Sequence, residues 1–169
     1  MRKFLLLLTT LSALGVGVVL PAGASTPASF TLPSGTLSIS APTASVSLGA
    51  QVASTTSSTM SGSHGSVTVS DQSGGPTTWT ASAISTAFTP TAGPADPATH
   101  VSYSAGPIVD SGPVVTTATP VTDLTGVVTV VTGASTGIST ATWSPTILIV
   151  VPANFAPGVY TATITSSVA

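Results

Sequence analysis

The chain has 169 residues, 42% of them hydrophobic and only 4% charged, with 16 glycines, 14 prolines and no cysteine. Its two basic side chains are Arg2 and Lys3, and its acidic ones are Asp71, Asp96, Asp110 and Asp123. With no Lys or Arg after position 3, it cannot neutralise phosphates, so nucleic acid is excluded as a partner, as are anionic lipids and polyanionic glycans bound by charge.

Residues 1–24 read as a signal peptide. Arg2 and Lys3 make a positive start, residues 4–20 are almost wholly apolar, and Ala22-Gly23-Ala24 is a small-x-small cleavage site. The apolar run is slightly short for a span, which needs about 20 residues. The expectation is an exported product that begins at Ser25 and keeps no membrane span. A mature chain of about 145 residues buries roughly two thirds of its unfolded surface without disulfides. A cysteine-free, Thr/Ser/Gly/Pro-rich exported chain of this kind is typical of bacteria.

Residues 25–35, with Pro27 and Pro33 among small residues, read as a flexible leader. The domain is expected over residues 36–169. Leu37 and Ile39 share one face of a first strand, which Pro42 ends. Val46 and Leu48 predict a second. Residues 51–65 are polar and read as a long loop, or one hiding an edge strand around Val52. Val67 and Val69 give the next strand. Asp71-Gln-Ser-Gly-Gly-Pro76 is a turn, because aspartate bonds its own backbone two residues on and glycine accepts positive φ. Trp79, Ala81 and Ala83 then alternate with Thr80 and Ser82, so residues 67–83 read as a β-hairpin. Phe88 follows, and residues 89–99, with Pro90, Gly93, Pro94 and Pro97, read as a loop.

Further strands are predicted at Val101, Tyr103 and Ala105, at Val114 and Val115, and over 126–132, where Gly133 and Gly137 end the run. The C-terminal part reads as a strand over 146–151, a turn, and a strand over 159–165 that places Tyr160, Ala162 and Ile164 on one face. Pro157-Gly158 is the expected type II turn, with positive φ at Gly158. No segment has the spacing of an amphipathic helix. Short strands with turns every 8–12 residues or so predict an all-β chain, an antiparallel immunoglobulin-like β-sandwich. Residues 127–131 and 147–151 are apolar on both faces, which fits central strands with a covered outer face, or an exposed apolar strip that meets a partner.

Candidate chemistry is sparse. Gly133-Ala-Ser135-Thr-Gly137 matches G-x-S-x-G, but no helix-forming sequence, histidine or aspartate follows it. His64, His100 and the aspartates lack regular metal-ligand spacing, and no two aspartates are adjacent. No enzyme activity, cofactor or metal is therefore expected. The aromatic residues Trp79, Trp143, Tyr103 and Tyr160 either form the core or, exposed, stack on sugar rings.

Three pieces resemble the WxL-type cell-surface domain of Gram-positive bacteria, including the WxL-like proteins of actinobacteria. They are Val67-Thr-Val-Ser-Asp71 with its glycine turn and Trp79-Thr-Ala81; Trp143-Ser-Pro-Thr-Ile-Leu-Ile-Val-Val-Pro152; and Pro157-Gly-Val-Tyr160-Thr-Ala-Thr-Ile-Thr165. In this chain Ala81 stands where the family has leucine, and the second W-x-L falls on Ser166 and Val168. The resemblance implies a non-catalytic β-sandwich held non-covalently at the cell wall, by peptidoglycan or another envelope protein. Trp79, Ala81, Trp143 and Tyr160 would then be its binding or core residues. Two other readings stay open: a secreted carbohydrate-binding module, and a fimbrial or spore-coat-like subunit assembling by strand exchange. As the closing strand, 159–165 is expected at a sheet edge, and because it is neutral and has no lysine to protect that edge, the edge is expected either to pair with a second chain or to be covered by the leader.

Overall fold

The structure, a computed structural model, describes residues 27–169. The predicted signal peptide, residues 1–24, lies outside the described residues. The chain divides into two units, Met1–Leu32 and Pro33–Ala169. In the first, residues 27–32 have no regular secondary structure. The second holds every strand: β1 (Leu37–Ser40), β2 (Ser58–Ser63), β3 (Val67–Asp71), β4 (Thr77–Ser85), β5 (Thr89–Pro90), β6 (Val101–Ser104), β7 (Ile108–Ser111), β8 (Val114–Ala118), β9 (Val128–Ser135), β10 (Ser139–Trp143), β11 (Thr146–Val151), β12 (Tyr160–Thr161) and β13 (Ile164–Val168). The only helical turn among the described residues is a 3₁₀ turn, Ala98–His100.

All pairing is antiparallel. The sheets run β1-β3-β10-β7, β2-β11-β6, β12-β5 and β13-β4-β9-β8. The first two are successive halves of one kinked sheet, because β2 leads into β3, β10 into β11, and β6 into β7. From Ser139 to Ile149 every second residue is buried, without interruption at Pro145. Pro145 has no N–H for a ladder, and proline tolerates a central strand only at a bulge. Bulges stand on both sides of it. Residues 144–145 face three residues, 64–66, on one neighbour and three, 105–107, on the other. The extra residues include Gly65 (φ 90°) and Gly106 (φ 70°), the positive φ that a bulge of this kind assigns to glycine.

Counting each kinked pair as one strand and leaving out the two-residue β5 and β12, the orders become 1-2-7-4 and 8-3-6-5. The two sheets share one core, a sandwich-like all-β architecture. Val67, Val69, Ala141 and Trp143 enter it from one sheet, Trp79, Ala81, Ala83, Val130 and Val131 from the other, and Tyr103, Ile147 and Ile149 from the kinked half.

Several expectations need correction. Residues 67–83 do not form a hairpin: β3 and β4 lie in different sheets, and the Asp71 turn carries the chain across. The C-terminal runs are likewise not a hairpin, since β11 pairs with β2 and β6, and β13 with β4. The positive φ in that connection belongs to Asn154 (59°), not Gly158, and the Asn154 N–H donates to the Ser54 carbonyl. β9 continues through Gly133 to Ser135. The predicted polar loop contains β2, whereas Val46 and Leu48 form no strand. Leu48 instead packs over Gly62. The doubly apolar look of residues 127–131 comes from a bulge: Ala81 pairs with Val131 and Ser82 with Thr129, so Val130 is extra and both valines are buried. In β11, Leu148 and Val150 do face outward, each 36% exposed.

Candidate functional site

Three connections meet at one end of the sandwich: β3 to β4, β7 to β8, and β9 to β10. At this end Asp71 is the hub. It pairs in register with Ser139 and is 1% exposed. One carboxylate oxygen accepts the Ser73 N–H at 3.0 Å and the Ser73 hydroxyl at 2.6 Å, and the other accepts the Ser135 hydroxyl. Ser73 also bonds Thr77, at 2.9 Å. Among the described residues no cationic side chain pairs with Asp71, and its charge is held by hydrogen bonds, which are strong when one partner is ionised. The central serine of the G-x-S-x-G pattern therefore has a structural partner. Its hydroxyl ties one crossover to the next.

These bonds have an acid signature. The Ser135 hydroxyl, then the Ser73 hydroxyl, hold the Asp71 carboxyl below its ordinary range, against the opposing effect of burial. Their stabilisation is complete above the ordinary carboxylate pKa of about 4 and is lost as pH falls through the lower folded value. His64 is different: burial holds its imidazole below the ordinary value. The folded state resists its protonation, so stability also falls as pH drops through about 6.5. Thermal melts from about pH 8 to about pH 3 are expected to decline in two stages. His64→Gln should remove the first stage and Asp71→Asn should weaken the second, to which Asp123, held below its ordinary range by hydrogen bonds from Thr125, also contributes. A wild-type profile that is flat between pH 8 and pH 5 contradicts the first assignment.

The four predicted site residues are not brought together on a surface. Trp79 (2% exposed), Ala81 and Trp143 (2%) lie in the core. The Trp143 indole N–H donates to the Tyr103 hydroxyl at 2.9 Å, and burial pushes the Tyr103 pKa up to about 12. Tyr160 is half-buried and stacks on Phe155 with ring centroids 5.5 Å apart, and its hydroxyl donates to the Ala156 carbonyl at 2.9 Å. Gly133 pairs in register with Trp79, and the indole lies where a Gly133 side chain would be. His100 hydrogen-bonds Asp96, and among the described residues no three His, Asp or Glu side chains gather as metal ligands.

What the sequence reading passed over is the outward surface of both sheets. On the β13-β4-β9-β8 sheet, Thr80, Thr132 and Thr117 stand side by side on three strands, flanked by Thr78, Ser82 and Thr129. With Val115 and Ala134, several of them line a shallow, open depression. On the other sheet, Ser40, Thr68 and Thr142 form a matching row, with a 3.0 Å hydroxyl contact between Thr68 and Thr142. None of these outward positions is charged. The alternation Val-Thr-Val or Thr-Ala-Thr in the sequence carries this signal, because each buried Val or Ala implies an outward hydroxyl on the opposite face. No helix of the described residues is long and apolar enough to cross a membrane.

No family model matches the chain, and no match was found to a curated protein or to a solved structure.

Proposed function

We propose that this chain is a secreted, non-catalytic protein of the bacterial cell surface, held non-covalently at the cell wall through peptidoglycan or another envelope protein. The observation that carries the reading is the pair of outward faces, built of Ser and Thr hydroxyls interspersed with apolar side chains such as Val109, Val115, Leu148 and Val150, and without charge. Such a face meets the uncharged, hydroxyl- and acetamido-bearing sugar strands of a wall polymer by hydrogen bonds and methyl contacts, not by ion pairs. The positive, apolar and small-residue pattern of residues 1–24 supports export. The resemblance to WxL-type domains supports attachment at the wall. In this reading Trp79 and Ala81 serve the core, and binding falls to the hydroxyl faces.

The immunoglobulin-like character belongs to the same proposal. Two facing antiparallel sheets with crossing connections support it. The strand order is the chain's own, since its seventh strand lies between the second and fourth, where an immunoglobulin sheet places its fifth. The carbohydrate-module reading loses its stacking platform, because Trp79, Trp143 and Tyr103 are core residues. The strand-assembly reading gains support from the position of β13 at a sheet edge. The test of the main reading is co-sedimentation of the purified protein with peptidoglycan, which the proposal expects at both low and moderate salt.

A further inference from the structure

β13 pairs with β4 along one side, and no described residue bonds its backbone on the other. The ladder fixes which groups face the open side. Thr80 and Ala169 exchange both backbone hydrogen bonds, and the Thr86 N–H donates to the Thr163 carbonyl. Bonded pairs alternate along an antiparallel ladder. Thr165 and Ser167 therefore also bond β4, and the N–H and C=O groups of Ile164, Ser166 and Val168 point outward. The strand carries no charge, lysine or proline, the devices that usually keep an edge from pairing. A second, independent feature lies at its centre: the Ser166 hydroxyl is buried and has no hydrogen-bond partner. An orphaned buried hydroxyl is costly and calls for a partner.

We propose that β13 pairs antiparallel with β13 of a second copy, centred on Ser166, so that two four-stranded sheets join into one continuous sheet. The strand is self-complementary about this point. Ser166 faces Ser166 of the second copy as a hydrogen-bonded pair. Side chains directly opposite one another have Cβ atoms about 4.5–5.5 Å apart, so a rotation of each Ser166 about χ1 turns the two orphaned hydroxyls out of the core and onto each other. Ile164 faces Val168 of the second copy on the core side, and Thr165 faces Ser167 on the outer side. The closed two-fold contact makes a dimer, not a fibre. The residues that lead directly into β1 are held at β3. Gly35 N–H donates to the Gln72 carbonyl and Thr36 accepts from Gln72 N–H, which carries the chain before β1 along the end of β3. The inference is independent of wall attachment, because its readouts need no wall polymer.

The test uses the absence of native cysteine. Opposed residues of a hydrogen-bonded pair have Cα atoms about 5.5 Å apart, inside the disulfide range. Ser166→Cys should crosslink under mild oxidation to twice the monomer mass. Ser167→Cys, which opposes Thr165 of the second copy, should crosslink far more slowly. Light scattering of the wild type should show the mass doubling as concentration rises. Ser166→Pro, which removes an outward N–H and leaves the Thr165 and Ser167 bonds to β4, should stay monomeric. A monomer at every concentration with Ser166→Cys remaining reduced would overturn the proposal. Equal crosslinking of the two cysteine variants would overturn it as well, and that comparison stands even if Ser166→Pro fails to fold.

Discussion

Gly133→Ala is expected to destabilise the domain although it adds a single methyl group. A Cβ at this position would lie 2.2 Å from Cε2 and Cζ2 of Trp79 and 2.8 Å from its Nε1. The indole cannot swing away, because it is packed in the core at 2% exposure. Overpacking of this kind costs about 1–3 kcal/mol or more, a large fraction of the roughly 5–15 kcal/mol that holds a typical domain. The partner mutation, Trp79→Ala, opens a cavity and costs about 3–5 kcal/mol. The two effects should not add. With the indole gone, the new methyl fills space, and the double variant should be more stable than the sum of the single costs predicts. Urea unfolding of the four proteins measures the coupling. Additive costs would mean that Gly133 is not the seat of Trp79.

The second large effect is expected at Trp143, which does two things at once. It fills the core beside Val67 and Ile108, its register partners, and its indole N–H donates to the buried Tyr103 hydroxyl. Trp143→Ala loses the packing, about 3–5 kcal/mol, and leaves the Tyr103 hydroxyl without its partner, a further cost of about 1–3 kcal/mol. Tyr103→Phe alone should cost less, since it removes one partner and no volume, although it strands the indole N–H. In the Trp143→Ala background, Tyr103→Phe should therefore be close to neutral or stabilising. Chemical denaturation of the single and double variants reads this directly. An unchanged penalty for Tyr103→Phe in both backgrounds contradicts the hydrogen-bond account.

The period-two alternation was legible from the sequence because it is a property of single strands. Val67 and Val69, Trp79 to Ala83, and Tyr160 to Ile164 all keep the inward parity expected of them. Which strand pairs with which was not legible. A turn such as Asp71 to Pro76 has the same local chemistry whether it folds a hairpin or carries the chain to the other sheet, and here Asp71 is used to tie crossovers together through Ser135. β2 was missed for a related reason. Its inward positions are Ser58, Met60 and Gly62, so only one large apolar side chain marks the face. The small Gly62 is required because Leu48 lies over it. Val130 and Val131 read as a strand apolar on both faces, since a bulge cannot be told from a covered strand without its partner. The G-x-S-x-G pattern is not a hairpin turn, because β9 runs through Ser135 and β10 lies in the other sheet; its contacts, Gly133 under Trp79 and Ser135 on Asp71, depend on residues more than 50 positions away.

The candidate site shows the same division. The aromatic residues are rare in this chain and stand out in its sequence, yet Trp79, Trp143 and Tyr103 are consumed by the core. The outward hydroxyl rows are built from the commonest residue types, and their alignment arises only from the register between strands.

The most direct test of surface attachment is co-sedimentation of the purified protein with isolated peptidoglycan, beside a control tube without it that accounts for self-association. Neutral hydroxyl faces carry no fixed charge for salt to screen. The account predicts that the protein pellets with peptidoglycan at low and moderate salt alike, and stays in solution in the control. Protein that remains wholly in the supernatant at both salt concentrations contradicts wall binding.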